Sequence, residues 1–297
     1  MATSTAEHEI GVIRAMLQAR ARPVGWAERR ARLDAIGTSP PAPDIKLQAV
    51  DAGGVPGEWS LAPGSDASRV LMFFHGGGYC SGSIVSHRAM VTEMGRSAQV
   101  RALAVGYRLA PEHPFPAALE DAIAAYEFLL EQGIAPSHIA IGGDSAGGGL
   151  TLACMLKLRA TGRPLPGCSW LLSPWVDLAM TGASLADKAD IDPLIQKSYL
   201  EELSVAYRAG ADPADPLISP LHADLHGLPP LMIQVGSAET LLDDAVRIAR
   251  RAGAADVPVT LEIWPHMIHA WHLWASQLTD ARRAIASAAA FIHARLR

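Results

Sequence analysis

A chain of 297 residues with a net charge of −5, from 25 basic and 30 acidic side chains, carries no electrostatic footprint for nucleic acid or an anionic membrane. No apolar run approaches the roughly 20 residues needed to span a bilayer, and three scattered cysteines, Cys80, Cys154 and Cys168, exclude a disulfide framework or a zinc-binding CxxC pair. With 49% hydrophobic residues the chain can bury a large core, so the expectation is one domain over 1–297, soluble and cytoplasmic, with no secretory signal in the polar segment Met1 to Glu9.

Ile10, Val12, Ile13, Met16 and Leu17 recur at helical spacing, followed by Trp26, Arg29, Arg30 and Leu33 among charges. This predicts one or two amphipathic helices within residues 6–36, ahead of the core. Strands are expected at 45–50, 57–62 and 69–74, divided by turn signals at Gly53, Gly54, Pro63 and Gly64. The third, Val70-Leu71-Met72-Phe73-Phe74, is apolar throughout, the pattern of a strand buried on both faces. Alternation follows: strand 102–106, helix 116–132, strand 138–142, helix 146–160, strand 168–173, strand 231–236, helix 242–253, strand 258–264 and helix 278–296. Eight candidate strands alternating with helices predict an α/β protein with a mostly parallel, doubly wound sheet. An irregular insert at about 178–225 leaves after a strand's carboxyl end, where such sheets bind ligands. It is expected to form a cap together with residues 1–36.

At the join of the strand 138–142 and the helix 146–160 the chain reads Gly143-Asp144-Ser145-Ala146-Gly147. Glycines at 143 and 147 leave room for a sharp turn that holds Ser145 strained at its tip, facing the start of a helix. That is the geometry of an acyl-transfer nucleophile. Behind the strand at 70–74 stands His75-Gly76-Gly77-Gly78, whose bare glycine amides can face the oxygen that turns negative when a carbonyl is attacked. The expected donors are the amides of Gly77, Gly78 and Ala146, with Gly76 as spacer.

A serine hydroxyl needs a base, and the base needs an acid to orient it. In this kind of turn the partners follow in the chain order serine, acid, histidine. His269 lies in the loop after strand 258–264 and is the expected base, with His266 and His272 shaping the pocket or facing solvent and His293 solvated. The cluster also reads HxxHxxH, but without an HExxH pattern or a carboxylate ligand a metal site is not expected. Glu239 is the first carboxylate after strand 231–236 and the expected acid. Asp243 and Asp244, placed to cap the next helix, are held in reserve. Asp144 is expected to line the substrate pocket, and Tyr79 either lines it or is a core aromatic. Arg108, Glu112 and His113 are read as braces of a Pro-rich loop. Cys80, beside the oxyanion loop, is either open to thiol reagents or buried and inert.

Three segments together, His75-Gly76-Gly77-Gly78-Tyr79, Tyr107-Arg108-Leu109-Ala110-Pro111-Glu112-His113-Pro114-Phe115-Pro116 and Gly143-Asp144-Ser145-Ala146-Gly147-Gly148, resemble the bacterial hormone-sensitive lipase-like carboxylesterases, family IV. The resemblance covers nearly the whole chain. It implies an α/β-hydrolase core with a helical cap, hydrolysis of short-chain esters, a small-molecule ester as substrate, no cofactor and often a homodimer, paired in many members through the last strand, here Val257 to Trp264. A similar subgroup is associated with monoterpene lactones, which makes a lactone hydrolase the alternative. Many members carry Asp-Pro-Leu-x-Asp where this chain has Glu239-Thr240-Leu241-Leu242-Asp243. Plant receptors on this scaffold bind ligands without turnover but lack the histidine found here at His269; peptide hydrolysis has no feature in its favour.

Overall fold

The apolar periodicity near the amino terminus forms two helices, α1 (Thr5–Gln18) and α2 (Trp26–Asp34), in a computed structural model that describes residues 5–20, 23–38 and 42–296. Residues 1–4 and 21–22 of the expected cap lie outside the described residues. Next come β1 (Lys46–Asp51), β2 (Pro56–Leu61), β3 (Asp66–Phe74), α3 (Ile84–Ala98), β4 (Val100–Val105), α4 (Ala117–Glu131), β5 (Ile139–Asp144), α5 (Ala146–Ala160) and β6 (Cys168–Leu172). The insert contributes α6 (Ser184–Asp187) and α7 (Lys197–Arg208), before β7 (Leu231–Gly236), α8 (Leu242–Ala254), β8 (Val259–Trp264) and α9 (Thr279–Arg295).

The eight strands form one sheet in the order β1-β2-β4-β3-β5-β6-β7-β8. β1 and β2 are antiparallel to their neighbours, and the other six run parallel. Side chains alternate across β3 with a period of two. Val70, Met72 and Phe74 pack with Leu119 and Leu129 of α4 and Leu150 of α5, whereas Leu71 and Phe73 pack with Met90 and Met94 of α3 and Ile285 of α9. Helices thus cover both faces, which is why the run is apolar throughout rather than alternating.

The sequence reading has no helix between the third and fourth strands, yet α3 fills that gap. Its buried face carries Ser86, His87 and Thr92 among Met90, Val91 and Met94, so polar residues turned inward obscure the amphipathic period. A capping box formed by Ser83 and Ser86 sets its start. The parallel strands deliver their following loops to one edge of the sheet. His75 to Gly78 follow β3, Ser145 follows β5, Ser173 follows β6, Glu239 follows β7 and His269 follows β8.

Candidate active site

Ser145 sits between β5 and α5 with φ 54° and ψ −119°. Such a backbone costs a non-glycine residue about 1–3 kcal/mol and must be held by its surroundings. Its N–H donates to Leu172 O at 2.8 Å, and its carbonyl accepts from Gly148 N at 3.0 Å and Trp175 N at 2.9 Å. The hydroxyl makes no capping bond to α5, although Ser145 occupies the cap position, and the residue lines the main cavity. Gly147 is required by close approach: a Cβ there would lie 2.0 Å from Phe74 O.

Asp144 lines the same cavity, but its carboxylate is turned to the glycine loop. It accepts from Gly76 N at 2.8 Å and stands 3.0 Å from His87 Nε2, while His87 Nδ1 lies 2.7 Å from Ser86 Oγ. Burial alone would raise the Asp144 carboxyl, yet His87, His269 and the Gly76 amide together hold it below its usual range. His87 thus joins the site from α3; the only sequence signal for it was its place soon after the glycine loop. Gly77 adopts φ +113°, where a Cβ would meet Ser81 O at 2.3 Å. Among the described residues, the amides of Gly77, Gly78 and Ala146 donate to no protein acceptor.

His75 supports this loop without titrating. Its ring stacks on Tyr107 at 4.2 Å, its Nδ1 lies 2.8 Å from Gly76 O, and burial lowers its pKa to about 3. Tyr79 takes the core-aromatic alternative rather than the pocket wall. It is buried and stacked on Tyr207 at 3.7 Å, away from the cavity wall, because a ring with a flat partner on the insert gains more by packing there. Arg108 and Glu112 brace as expected: Arg108 holds Asp121 and Glu112 pairs with Arg30 at 2.6 Å. Burial pushes the Cys80 thiol up to about 12, the inert alternative.

His269 and Glu239 meet across their two loops, with Nδ1 3.3 Å from Oε1. Glu239 is 0% exposed, and its Oε2 accepts from Ser173 Oγ and Gly236 N, each at 2.8 Å. Ser173 Oγ also receives Ala270 N–H at 3.1 Å. The sequence reading treats Ser173 only as a boundary; its position directly after a parallel strand is the signal that marks it. Burial raises the Glu239 carboxyl against the pull of His269. Burial opposes the His269 cation, but Glu239, Asp192 and Asp144 outweigh it and raise the imidazole above its usual 6.5.

Asp243 and Asp244 do not cap α8. Asp244 accepts from Val176 N and Asp177 N at 2.9 and 3.0 Å, Asp243 accepts from Ser184 N at 3.0 Å, and neither touches His269. Both are drawn away because the insert presents unpaired amides beside α8. Burial lifts Asp244 to about 7. The HxxHxxH histidines part company. His266 faces Glu7 at 3.3 Å with 59% of its side chain exposed, whereas His272 is buried in the core on Gln234 at 3.0 Å. The expectation that His272 shapes the pocket or faces solvent is therefore corrected: its loop turns inward at Ala270, where φ is 49°, toward the polar groups of Gln234 and Trp170. His293 is exposed on α9.

The cavity above Ser145 and His269 measures about 750 Å³. Its walls come from α1, α2 and the insert, through Leu17, Leu33, Leu194, Tyr199 and Leu203. α1 also packs Ile10 and Ile13 against Met267 and Ile268, which directly precede the histidine.

A nucleophile turn between strand and helix, with acid and histidine after later parallel strands, defines the α/β-hydrolase class. The family model for the alpha/beta hydrolase fold matches residues 71–273, more than half of the chain. An acetyl-hydrolase of Streptomyces hygroscopicus is 46% identical over 243 residues, covering 82% of this chain and 81% of that protein. The crystal structure of an esterase from the bacterial hormone-sensitive lipase family superposes with a TM-score of 0.95 at 43% identity, covering all of both chains. EstE5, in a crystal soaked with p-nitrophenyl butyrate, gives a TM-score of 0.94 at 41% identity over 97% of this chain and 98% of that one. The chain belongs to the bacterial hormone-sensitive lipase-like carboxylesterases of the α/β-hydrolase fold.

Proposed function

We propose that this enzyme hydrolyses short-chain carboxylic esters through a Ser145-His269-Glu239 triad and an acyl-enzyme. The observation that carries the reading is the Glu239–His269 contact at the floor of the cavity that Ser145 lines. Ser145 Oγ attacks the ester carbonyl while His269 takes its proton. Glu239 holds Nδ1–H, fixes the tautomer and stabilises the imidazolium. The free amides of Gly77, Gly78 and Ala146 receive the oxyanion, and each such donor is worth about 10²–10³-fold in kcat. His269 then protonates the departing alcohol and activates the water that releases the acid.

The helices α1 and α2 and the insert act as the cap that shields this step from solvent. An acetyl-hydrolase relative and a homologue soaked with a butyrate ester support the preference for short acyl groups. The outer edge of β8, with Ile263 46% exposed, supports a homodimer paired through that strand, and sedimentation at micromolar protein tests it.

Ser145→Ala is expected to abolish turnover of p-nitrophenyl butyrate, and a fluorophosphonate should label the wild type but not the variant. Full activity in the variant would overturn the reading. A panel from acetyl to dodecanoyl esters, with lactones added, tests the substrate class: an optimum at long chains or on a lactone replaces the short-ester assignment.

A further inference from the structure

Asp192 belongs to the insert and has no part in the triad, yet it is only 3% exposed and both its oxygens are committed. Oδ1 accepts from Leu194 N at 2.9 Å and Ile195 N at 3.0 Å, shaping the stretch of insert that walls the cavity. Oδ2 accepts from Thr240 N at 2.8 Å and Thr240 Oγ1 at 3.1 Å. Thr240 directly follows Glu239. Its carbonyl is held from the insert as well, by Ser184 Oγ at 2.7 Å. The residue beside the acid is therefore gripped at both its N–H and its C=O by one segment of the cap.

A carboxylate buried among neutral donors is expensive to maintain unless each oxygen is satisfied. Among the described residues no cation forms an ion pair with Asp192. Arg14 of α1 senses it only at longer range. The charged groups that act on His269 are Glu239 in contact, with Asp192 and Asp144 further away, all anionic. Removing a carboxylate from this set makes the imidazolium harder to form.

We infer that Asp192 is a positioning residue of the active site, a single carboxylate that seats the cap loop on the Glu239–Thr240 turn and thereby sets the acid against His269. The inference rests on the triad reading above. It also divides the cap: the segment from Ser184 to Ile195 is a fixed wall of the catalytic centre, so any opening for substrate occurs at α1, α2 or α7.

Asp192→Asn preserves shape but removes the charge, and its amide nitrogen cannot accept from the two donors of the oxygen it replaces. We expect kcat on p-nitrophenyl butyrate to fall about 10- to 100-fold, the scale of a misplaced catalytic group, with KM changed less than about threefold. The acid limb of kcat/KM should move to lower pH. Ser184→Ala, which frees the Thr240 carbonyl and the Asp243 N–H but removes no charge, should lower kcat severalfold and leave that limb in place. Wild-type kcat and pH profile in Asp192→Asn, or an effect confined to KM, would overturn the inference. If Asp192→Asn does not fold, an unchanged kcat in Ser184→Ala overturns it. Ser145→Ala runs alongside: turnover there sinks the triad reading itself, whereas a dead Ser145→Ala beside an unaffected Asp192→Asn sinks only this inference.

Discussion

Glu239 reaches His269 with one oxygen, 3.3 Å from Nδ1, and spends the other on Ser173 Oγ and Gly236 N. Ser173 in turn receives the N–H of Ala270, next to the histidine. The loops after β6, β7 and β8 are locked together by one carboxylate, so Glu239 both contacts the imidazole and supports the loop that carries it.

Glu239→Gln should therefore cost far more than either aspartate nearby. Gly236 N–H needs an acceptor, so the amide turns its oxygen there and its NH2 to Nδ1, which favours the wrong tautomer, an effect on the order of 10²–10⁴-fold in kcat. Asp243→Asn, whose carboxylate serves Ser184 N, should change kcat less than about fivefold. Steady-state kinetics on p-nitrophenyl butyrate gives the ranking. The opposite order would make Asp243 the acid.

The raised pKa of His269 fixes the direction of the pH profile. In the proposed triad the neutral imidazole is the active form, and Glu239, Asp192 and Asp144 favour the cation despite burial. Activity should thus be full above the raised pKa and fall as pH drops through it, with a midpoint above the ordinary 6.5. In Glu239→Gln the residual activity should titrate at lower pH, because the main partner of the cation is gone. A kcat/KM profile between pH 5 and 9 measures both midpoints, and a wild-type midpoint below 6.5 would contradict the assignment.

The placement of Ser145, Glu239 and His269 at one edge of the sheet was legible because each stands in the first loop after a strand whose apolar run is itself readable. The supporting shell was not. Asp144 meets Gly76 across 68 positions and Ala270 meets Ser173 across 97, and no local period encodes such pairings. α3 was hidden because Ser86 and His87 face inward to serve the glycine loop, so the functional demand erased the amphipathic signal. Tyr79 was open to both readings: its position beside the oxyanion loop is close in sequence to the chemistry, but its ring belongs to the stack with Tyr207.

The glycines of the two motifs differ in what opposes a side chain. At Gly147 a Cβ would lie 2.0 Å from Phe74 O, a backbone atom in the central strand that cannot move aside. At Gly78 the obstacle is Leu203 Cδ1 at 2.3 Å, the tip of a flexible chain on α7, with the added strain of φ +64°. Gly147→Ala should destabilise by about 3 kcal/mol or more, and Gly78→Ala by about 1–2 kcal/mol. Gly78→Ala should still lose at least about tenfold in kcat, since Gly78 lines the cavity and its amide is one of the proposed oxyanion donors. Urea unfolding paired with kinetics separates the two, and equal destabilisation would show that the central strand yields as readily as Leu203.

His272 carries a separate prediction about acid stability. Its Nε2 stands 3.0 Å from Gln234 Oε1, which also takes Trp170 Nε1–H, and its buried Nδ1 has no hydrogen-bond partner among the described residues. Oε1 can only accept, so Nε2 bears the proton and the ring is neutral. Burial depresses its pKa from 6.5 to about 3. The unfolded chain takes up a proton below 6.5 that the folded chain refuses until about 3, so this site's contribution to stability is full above 6.5 and drains away as pH falls through that window. His272→Gln keeps a donor for Gln234 but has no proton to gain. At pH 7 the variant should be the less stable protein, through imperfect packing against Trp271, whose ring lies 3.9 Å from that of His272. Between pH 7 and 5 the gap should close by about 2 kcal/mol. Comparing the two proteins, rather than following the wild type alone, cancels the opposing titration of Asp244, whose carboxyl is lifted to about 7 in both. A gap that stays constant in urea titrations at the two pH values would mean that the native state protonates His272 without cost.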